Sequence, residues 1–311
     1  MKMTAGGSRM LRHVFLFLSQ NKTLTKFAKA YGTRLGARRF VAGDTIESAV
    51  KTVKRLNRSG LCATIDYLGE YAASEKEANQ VAEECKKAIQ AIAEHQLNSE
   101  LSLKLTSIGL DLSEELALTH LRAILSVAKQ YDVAVTIDME DYSHYEQTLS
   151  IYRQCKQEFE KLGTVIQAYL YRAAEDIRKM RDLKPNLRLV KGAYKESAAV
   201  AFPDKRGTDL HFQSLIKLQL LSGNYTAVAT HDDDIIAFTK QLVAEHQIPA
   251  SQFEFQMLYG IRPERQKELA KEGYRMRVYV PYGTDWFSYF MRRIAERPAN
   301  AAFVLKGILK K

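Results

Sequence analysis

The chain has 311 residues, 46% of them apolar, which is enough for one large core, and its net charge is +10. That charge is concentrated: residues 1–40 hold nine basic side chains and no acidic one, so the other 271 residues carry only +1. A nearly neutral body without a recognisable binding motif argues against a nucleic-acid partner. The length suits one α/β barrel of about 250 residues plus an extension.

The basic segment contains Arg9-Met-Leu-Arg-His-Val-Phe-Leu-Phe-Leu18. Its apolar run, Val14 to Leu18, is too short for a signal peptide, and no small-x-small cleavage site follows. No stretch approaches the ~20 apolar residues that cross a bilayer. Two readings stay open: a basic amphipathic helix lying on anionic lipid, or a helix packed on the body with a basic outer face. The expected division is a basic helical arm over residues 1–58 and a barrel over 59–311. Cys62, Cys85 and Cys155 have neither disulfide nor metal-ligand spacing. They read as small packing residues in a reducing cytoplasm.

From residue 60 the sequence alternates regularly. Segments rich in β-branched and apolar residues recur at 62–66, 101–106, 134–138, 164–170, 187–191, 226–231, 253–258 and 276–280. Their starts are separated by enough chain for one helix and two loops. Between the first two, Ser74 to His95 places Ala78, Val81, Ala82, Cys85, Ala88, Ile89 and Ile92 on one helical face. Residues 118–129, 143–161 and 234–245 repeat that pattern, and Ser74-Glu-Lys-Glu and Asp111-Leu-Ser-Glu read as N-caps. Eight β-then-α units predict a (βα)8 barrel, a TIM-like α/β fold with an N-terminal helical arm. A doubly wound sheet is the alternative. It is weakened because Leu68-Gly-Glu-Tyr offers a single glycine where a dinucleotide fold needs three.

In such barrels the site lies at the C-terminal strand ends. Here those ends carry Asp66, Lys104, Asp138, Glu140, Asp141, Gln167, Tyr169, Arg188, Lys191, Thr230, His231, Gln256 and Tyr279. Isolated inward polar groups often form satisfied structural networks. So many together, several cationic, favour an anionic ligand. Lys104 and Arg188 cannot be buried without anionic partners, which Asp138, a cofactor or a substrate could supply. His231-Asp-Asp-Asp234 is the one dense metal-like run, but its aspartates read as the cap of the next helix, and no metal is expected. There is no Gly-x-Ser-x-Gly elbow for hydrolysis, and the cationic surplus disfavours a paired-carboxylate glycosidase. After the eighth strand, a Pro281/Gly283 turn leads into a helix capped by Thr284 or Asp285, with Arg292 and Arg293 about two turns in. Adjacent guanidiniums there are either a solvated patch or a carboxylate grip.

Three segments, Arg188-Leu-Val-Lys-Gly-Ala-Tyr194, Phe253-Glu-Phe-Gln-Met-Leu258 and Tyr289-Phe-Met-Arg-Arg-Ile-Ala-Glu296, together resemble the proline dehydrogenase family. Ser102-Leu-Lys-Leu-Thr106, Thr136-Ile-Asp-Met-Glu140, Val165-Ile-Gln-Ala-Tyr169 and Ala229-Thr-His231 support it in family order, over roughly residues 60–305. The resemblance implies a distorted barrel carrying FAD. Such an enzyme oxidises L-proline to Δ1-pyrroline-5-carboxylate by hydride transfer to flavin N5, and passes electrons to a membrane quinone. It implies Arg292 and Arg293 as the carboxylate clamp, with Lys104, Leu258, Tyr279 and Tyr289 completing the substrate pocket. Arg188 would face the flavin N5, and Asp138 the substrate side of the ring, with Lys104 and Tyr279 also in the catalytic set. Gln167, Val190, Lys191, Gly192, Ala193, Lys205, Thr230, His231 and Glu296 fall on flavin-contacting positions. Lys195 departs from the family, where many relatives carry Trp. The family reading also implies a separate Δ1-pyrroline-5-carboxylate dehydrogenase downstream, and a cytoplasmic protein peripheral on the inner face of the cell membrane. Two competing classes are a barrel lyase or aldolase forming a Schiff base on Lys104 or Lys191, and a non-enzymatic membrane-surface binding protein.

Overall fold

The computed structural model describes residues 39–286 and Tyr289. Eight strands are present: β1 (Cys62–Tyr67), β2 (Ser99–Leu103), β3 (Val135–Ile137), β4 (Leu162–Gln167), β5 (Asn186–Val190), β6 (Thr226–Ala229), β7 (Phe253–Leu258) and β8 (Met276–Tyr282). Each pairs in parallel with the next, and β8 returns to β1, so the sheet closes into a barrel. Closure excludes the doubly wound alternative.

The helices are α1 (Ile46–Arg58), α2 (Glu75–Glu94), α3 (Glu114–Gln130), α4 (Tyr145–Glu158), α5 (Ala173–Lys179), α6 (Lys205–Leu221), α7 (Asp233–Glu245) and α8 (Pro263–Lys271). Local chemistry fixes where they begin. The Ser74 hydroxyl accepts from the Glu77 amide at 3.3 Å, while the Glu77 carboxylate accepts from the Ala73 amide at 2.9 Å. Two otherwise orphaned donors are satisfied at the start of α2. Its predicted face is buried at Ala78, Ala82, Cys85, Ala88, Ile89 and Ile92, with Val81 at the edge. An isoleucine such as Ile89, fully buried, contributes about 2 kcal/mol. Asp232 caps α7 by accepting from the Asp234 amide, as its sequence suggests. All three cysteines are free and buried.

Several expected boundaries move. The cap of α3 is Ser113, not Asp111, whose carboxylate instead accepts from His144 Nε2 at 2.8 Å. Strand β2 stops at Leu103, and Thr106–Ile108 form a 3-10 turn, because the Glu140 carboxylate captures both the amide and the hydroxyl of Thr106. Strand β4 starts at Leu162 and ends at Gln167, although the amides of Ala168 and Tyr169 still reach the carbonyls of Val190 and Lys191. Helix α1 buries Ala49, Val50 and Val53 and packs on β1 and β8. The segment before it is tied to the end of β8, where Ala42 donates to the Pro281 carbonyl at 2.8 Å and Gly283 donates to the Gly43 carbonyl at 2.9 Å.

Candidate active site

Side chains alternate across a strand, so residues two apart share the barrel interior. The interior faces of six strands carry ionisable groups that meet in one alternating series. Glu254 on β7 accepts from Arg277 Nε on β8 at 2.6 Å, and Arg277 Nη1 lies 3.9 Å from Glu100 on β2. Glu100 Oε1 is 3.4 Å from Arg188 Nη2 on β5, whose Nη1 donates to Asp138 Oδ1, just past β3, at 2.6 Å. Asp138 Oδ2 then lies 3.4 Å from Lys104 Nζ, which reaches Asp66 Oδ1 on β1 at 3.2 Å. No side chain in the series is more than 12% exposed. The partner that burial of Lys104 and Arg188 demanded is therefore Asp138, which serves both.

These contacts decide which groups are charged. Burial opposes the charge of Lys104, but Asp66, Tyr279 and Asp138 outweigh it and hold its pKa well above the ordinary value. Burial likewise opposes the Arg188 charge, and Asp138 and Glu100 restore it. Asp138 resists its own burial through Lys104 and Arg188, aided by the Tyr279 and Ser102 hydroxyls, and stays below the carboxylate range. Tyr279 OH donates to Asp138 Oδ2 at 2.6 Å, and Ser102 Oγ lies 2.7 Å from Asp138 Oδ1. Full burial and the neighbouring Asp138 charge outweigh Lys104 and the Tyr279 hydroxyl at Asp66, and its pKa rises to about 6.

Above this series, the C-terminal strand ends enclose a cavity of about 960 Å³. Every sequence-predicted site residue among those described lines it. Lys104, Asp138, Arg188 and Tyr279 form its floor with Asp66, while Leu258 and Tyr289 are wall residues. Gln167, Val190, Lys191, Gly192 and Ala193 lie at and just beyond β4 and β5, and Thr230 and His231 just beyond β6. Arg292, Arg293 and Glu296 lie outside the described residues.

Two floor and wall atoms stand out. Arg188 Nε is buried with no hydrogen-bond partner among the described residues, and so is Gln167 Oε1. The Gln167 amide is oriented unambiguously, because its Nε2 donates to the Glu140 carbonyl at 3.0 Å. An orphan donor and an orphan acceptor on adjacent strands suit the edge of a flat heteroaromatic ligand that offers the complementary pair. Gly192, at φ +117°, lets the backbone pass the Tyr169 ring; a Cβ there would come within 2.5 Å of it. At the rim, Lys191 pairs with Asp232 at 2.7 Å and also with Asp209, which engages Lys205 in turn. Lys205 pairs with Asp209 and Asp232, yet its side chain is 72% exposed, so its cation can also meet an anionic group near the rim. His231 Nε2 accepts from the Leu258 amide at 3.0 Å, which fixes the ring against β7.

The proline dehydrogenase family model matches residues 49–306. The chain belongs to the proline dehydrogenase family. It is 99% identical to proline dehydrogenase 1 of Bacillus subtilis subsp. natto over 97% of this chain and 100% of that one. It is 48% identical to the proline dehydrogenase of Deinococcus radiodurans, covering 88% of this chain and 90% of the other. Among solved structures, proline utilization A (PutA) from Bdellovibrio bacteriovorus, inactivated by N-propargylglycine, superposes with a TM-score of 0.81 at 25% identity. That match covers 98% of this chain and 38% of that one. The protein is thus an oxidoreductase acting on proline, and neither the lyase nor the non-enzymatic binder describes it. At Lys104 the lyase also fails on chemistry, because a Schiff base needs a neutral amine and this lysine is held protonated between two carboxylates.

Sequence reasoning missed Ser102 and Glu100, both of which hold Arg188. The signal was present: counting back from Lys104 by twos along β2 reaches each of them.

Proposed function

We propose that this enzyme binds FAD in the cavity, oxidises L-proline to Δ1-pyrroline-5-carboxylate and delivers the electrons to a membrane quinone. The observation that carries the reading is the orphaned pair, Arg188 Nε and Gln167 Oε1, on adjacent strands that line the cavity among residues on which the family's flavin contacts fall. Bound flavin would supply a two-electron acceptor for hydride from the carbon next to the proline nitrogen.

The chain's own residues do the rest. Arg188 presents a buried positive charge where electron density accumulates. Gly192 and Ala193 give the ring and its phosphates close backbone approach, and Lys191 and Lys205 bring cations to the rim. Lys104, Tyr279, Tyr289 and Leu258 enclose the substrate, and the Tyr279 side chain leaves less room for 4-hydroxyproline than a smaller residue would. Arg292 and Arg293 grip the carboxylate, and Glu296 adds a flavin contact. Asp138 orients Arg188, Lys104 and Tyr279 at once. The product passes to a separate Δ1-pyrroline-5-carboxylate dehydrogenase.

Residues 1–58 form a basic arm and 59–311 the barrel in this proposal. The enzyme works from the cytoplasm as a peripheral protein on the inner face of the membrane. Among the described residues no helix is long and apolar enough to cross one.

The direct test is optical. Purified protein should show flavin absorbance that bleaches on anaerobic addition of L-proline, at a rate that rises with pH as the substrate amine loses its proton. Colourless protein that takes up no FAD would refute the cofactor. Bleaching at a rate independent of pH would refute the need for a neutral amine.

A further inference from the structure

Among the described residues, Glu100 is the interior carboxylate that contacts two arginines. It lies 3.4 Å from Arg188 Nη2 on one side and 3.9 Å from Arg277 Nη1 on the other. It does not line the cavity, so it is not placed to touch a ligand there. Its own position is fixed by the Thr64 hydroxyl, which donates to Oε1 at 2.9 Å. Arg277 is fixed in turn by Glu254 at 2.6 Å and the Ala63 carbonyl at 2.8 Å.

Arg188 has five N–H donors in a rigid fork. Nη1 is taken by Asp138 at 2.6 Å and Ser102 at 3.1 Å, and Nη2 by Glu100. The guanidinium carbon also sits 5.3 Å from the Tyr279 ring centroid. Both terminal nitrogens are thus held from below and beside, and Nε is the nitrogen without a partner among the described residues.

We propose that Glu100 is a positioning residue for Arg188: it anchors the guanidinium from beneath the cavity so that Nε faces the ligand, and it sets how much of the arginine's charge the ligand feels. The inference rests on the flavin reading of the cavity. Its physical basis is the shared carboxylate. With Arg277 drawing on the same group, Arg188 is only partly neutralised from below, and changing either neighbour changes the field at the cavity floor.

Two substitutions outside the cavity lining give opposite signs. Glu100→Gln keeps the shape but deletes a negative charge, so two-electron reduction of the bound flavin becomes easier. The midpoint potential, measured against a reference dye, should rise by at least a tenfold change in the reduction equilibrium, about 30 mV. Arg277→Gln deletes a positive charge and leaves Glu100 to Arg188 alone, so the potential should fall. The Arg277 variant carries the test if the Glu100 variant does not fold.

A lower melting temperature with an unchanged potential in the variants that fold would show a merely structural role and overturn the inference. Shifts of the same sign in both variants would overturn it too. Wild-type protein that takes up no flavin would overturn the proposed function and this inference together, whereas flavin-loaded variants at the wild-type potential would overturn this inference alone.

Discussion

Lys104 stands between two buried carboxylates, 3.2 Å from Asp66 and 3.4 Å from Asp138. Asp138 also has Arg188, so the loss of Lys104 falls mainly on Asp66. Breaking a buried ion pair by removing one partner costs about 3–5 kcal/mol. Asp66 already has a raised pKa and would escape part of that cost by taking a proton. Lys104→Met should therefore lose about 3 kcal/mol at pH 8 and less at pH 5. The sign follows from linkage: an acid whose folded pKa lies above its unfolded value loses stability as pH rises between the two. Adding Asp66→Asn should recover more than ~1 kcal/mol, because it removes the stranded carboxylate. Urea melts of the single and double variants decide it; strictly additive losses would mean that the pair is not coupled. The need for an anion such as Asp138 near Lys104 and Arg188 was legible in the sequence, since buried cations require anionic partners. Glu100 and Ser102 were legible by strand alternation yet were missed, since they share the interior side of β2 with Lys104 while Leu101 and Leu103 face the other way.

Loops between elements carry their own electrostatics. Glu140, in the loop from β3 to α4, accepts from the Thr106 amide at 3.1 Å and from its hydroxyl, while its carbonyl accepts from Gln167. One residue, through its carboxylate and its backbone carbonyl, thus joins the loops after β2 and β3 to the end of β4. Burial pushes its pKa from 4.5 up to about 7, despite the Thr106 contacts. Folded protein then binds more protons than unfolded between those values, so stability falls as pH rises from about 4.5 to about 7 and levels off beyond. Glu140→Gln removes this dependence. Relative to wild type, the variant should gain about 2–4 kcal/mol between pH 5 and pH 8 in chemical denaturation. A gain under ~1 kcal/mol would mean the carboxylate is solvated rather than buried. All eight strands and helices α2, α3, α4 and α7 were legible because their periodicities are local. The stop of β2 at Leu103 was not, since it depends on Glu140, far along the chain. The cap of α3 shifted from Asp111 to Ser113 for a similar reason, as His144 claims Asp111.

At the scale of the whole molecule, charge divides into two regions with different physics. Inside the barrel, acids and bases alternate at short range and largely cancel. In residues 1–40, nine basic side chains have no acidic neighbour in sequence, and the remaining 271 residues are nearly neutral. A like-signed segment of that kind contributes little to a fold, but near an anionic bilayer each basic residue is worth about 1 kcal/mol. The proposed electron delivery to a membrane quinone would give such attraction a purpose. Removal of residues 1–38 takes away eight of the nine charges and leaves α1 and the barrel intact in sequence. The full chain should co-sediment with phosphatidylglycerol vesicles at low salt and be released as salt shortens the Debye length from about 30 Å at 0.01 M to about 3 Å at 1 M. The shortened chain should stay in the supernatant. If the charges removed serve the membrane and not the cavity, it should still reduce a water-soluble acceptor with proline at a rate within about twofold of the full chain. Equal vesicle binding by the two chains would place the membrane contact on the barrel. Loss of proline oxidation with the soluble acceptor would instead tie the segment to the site.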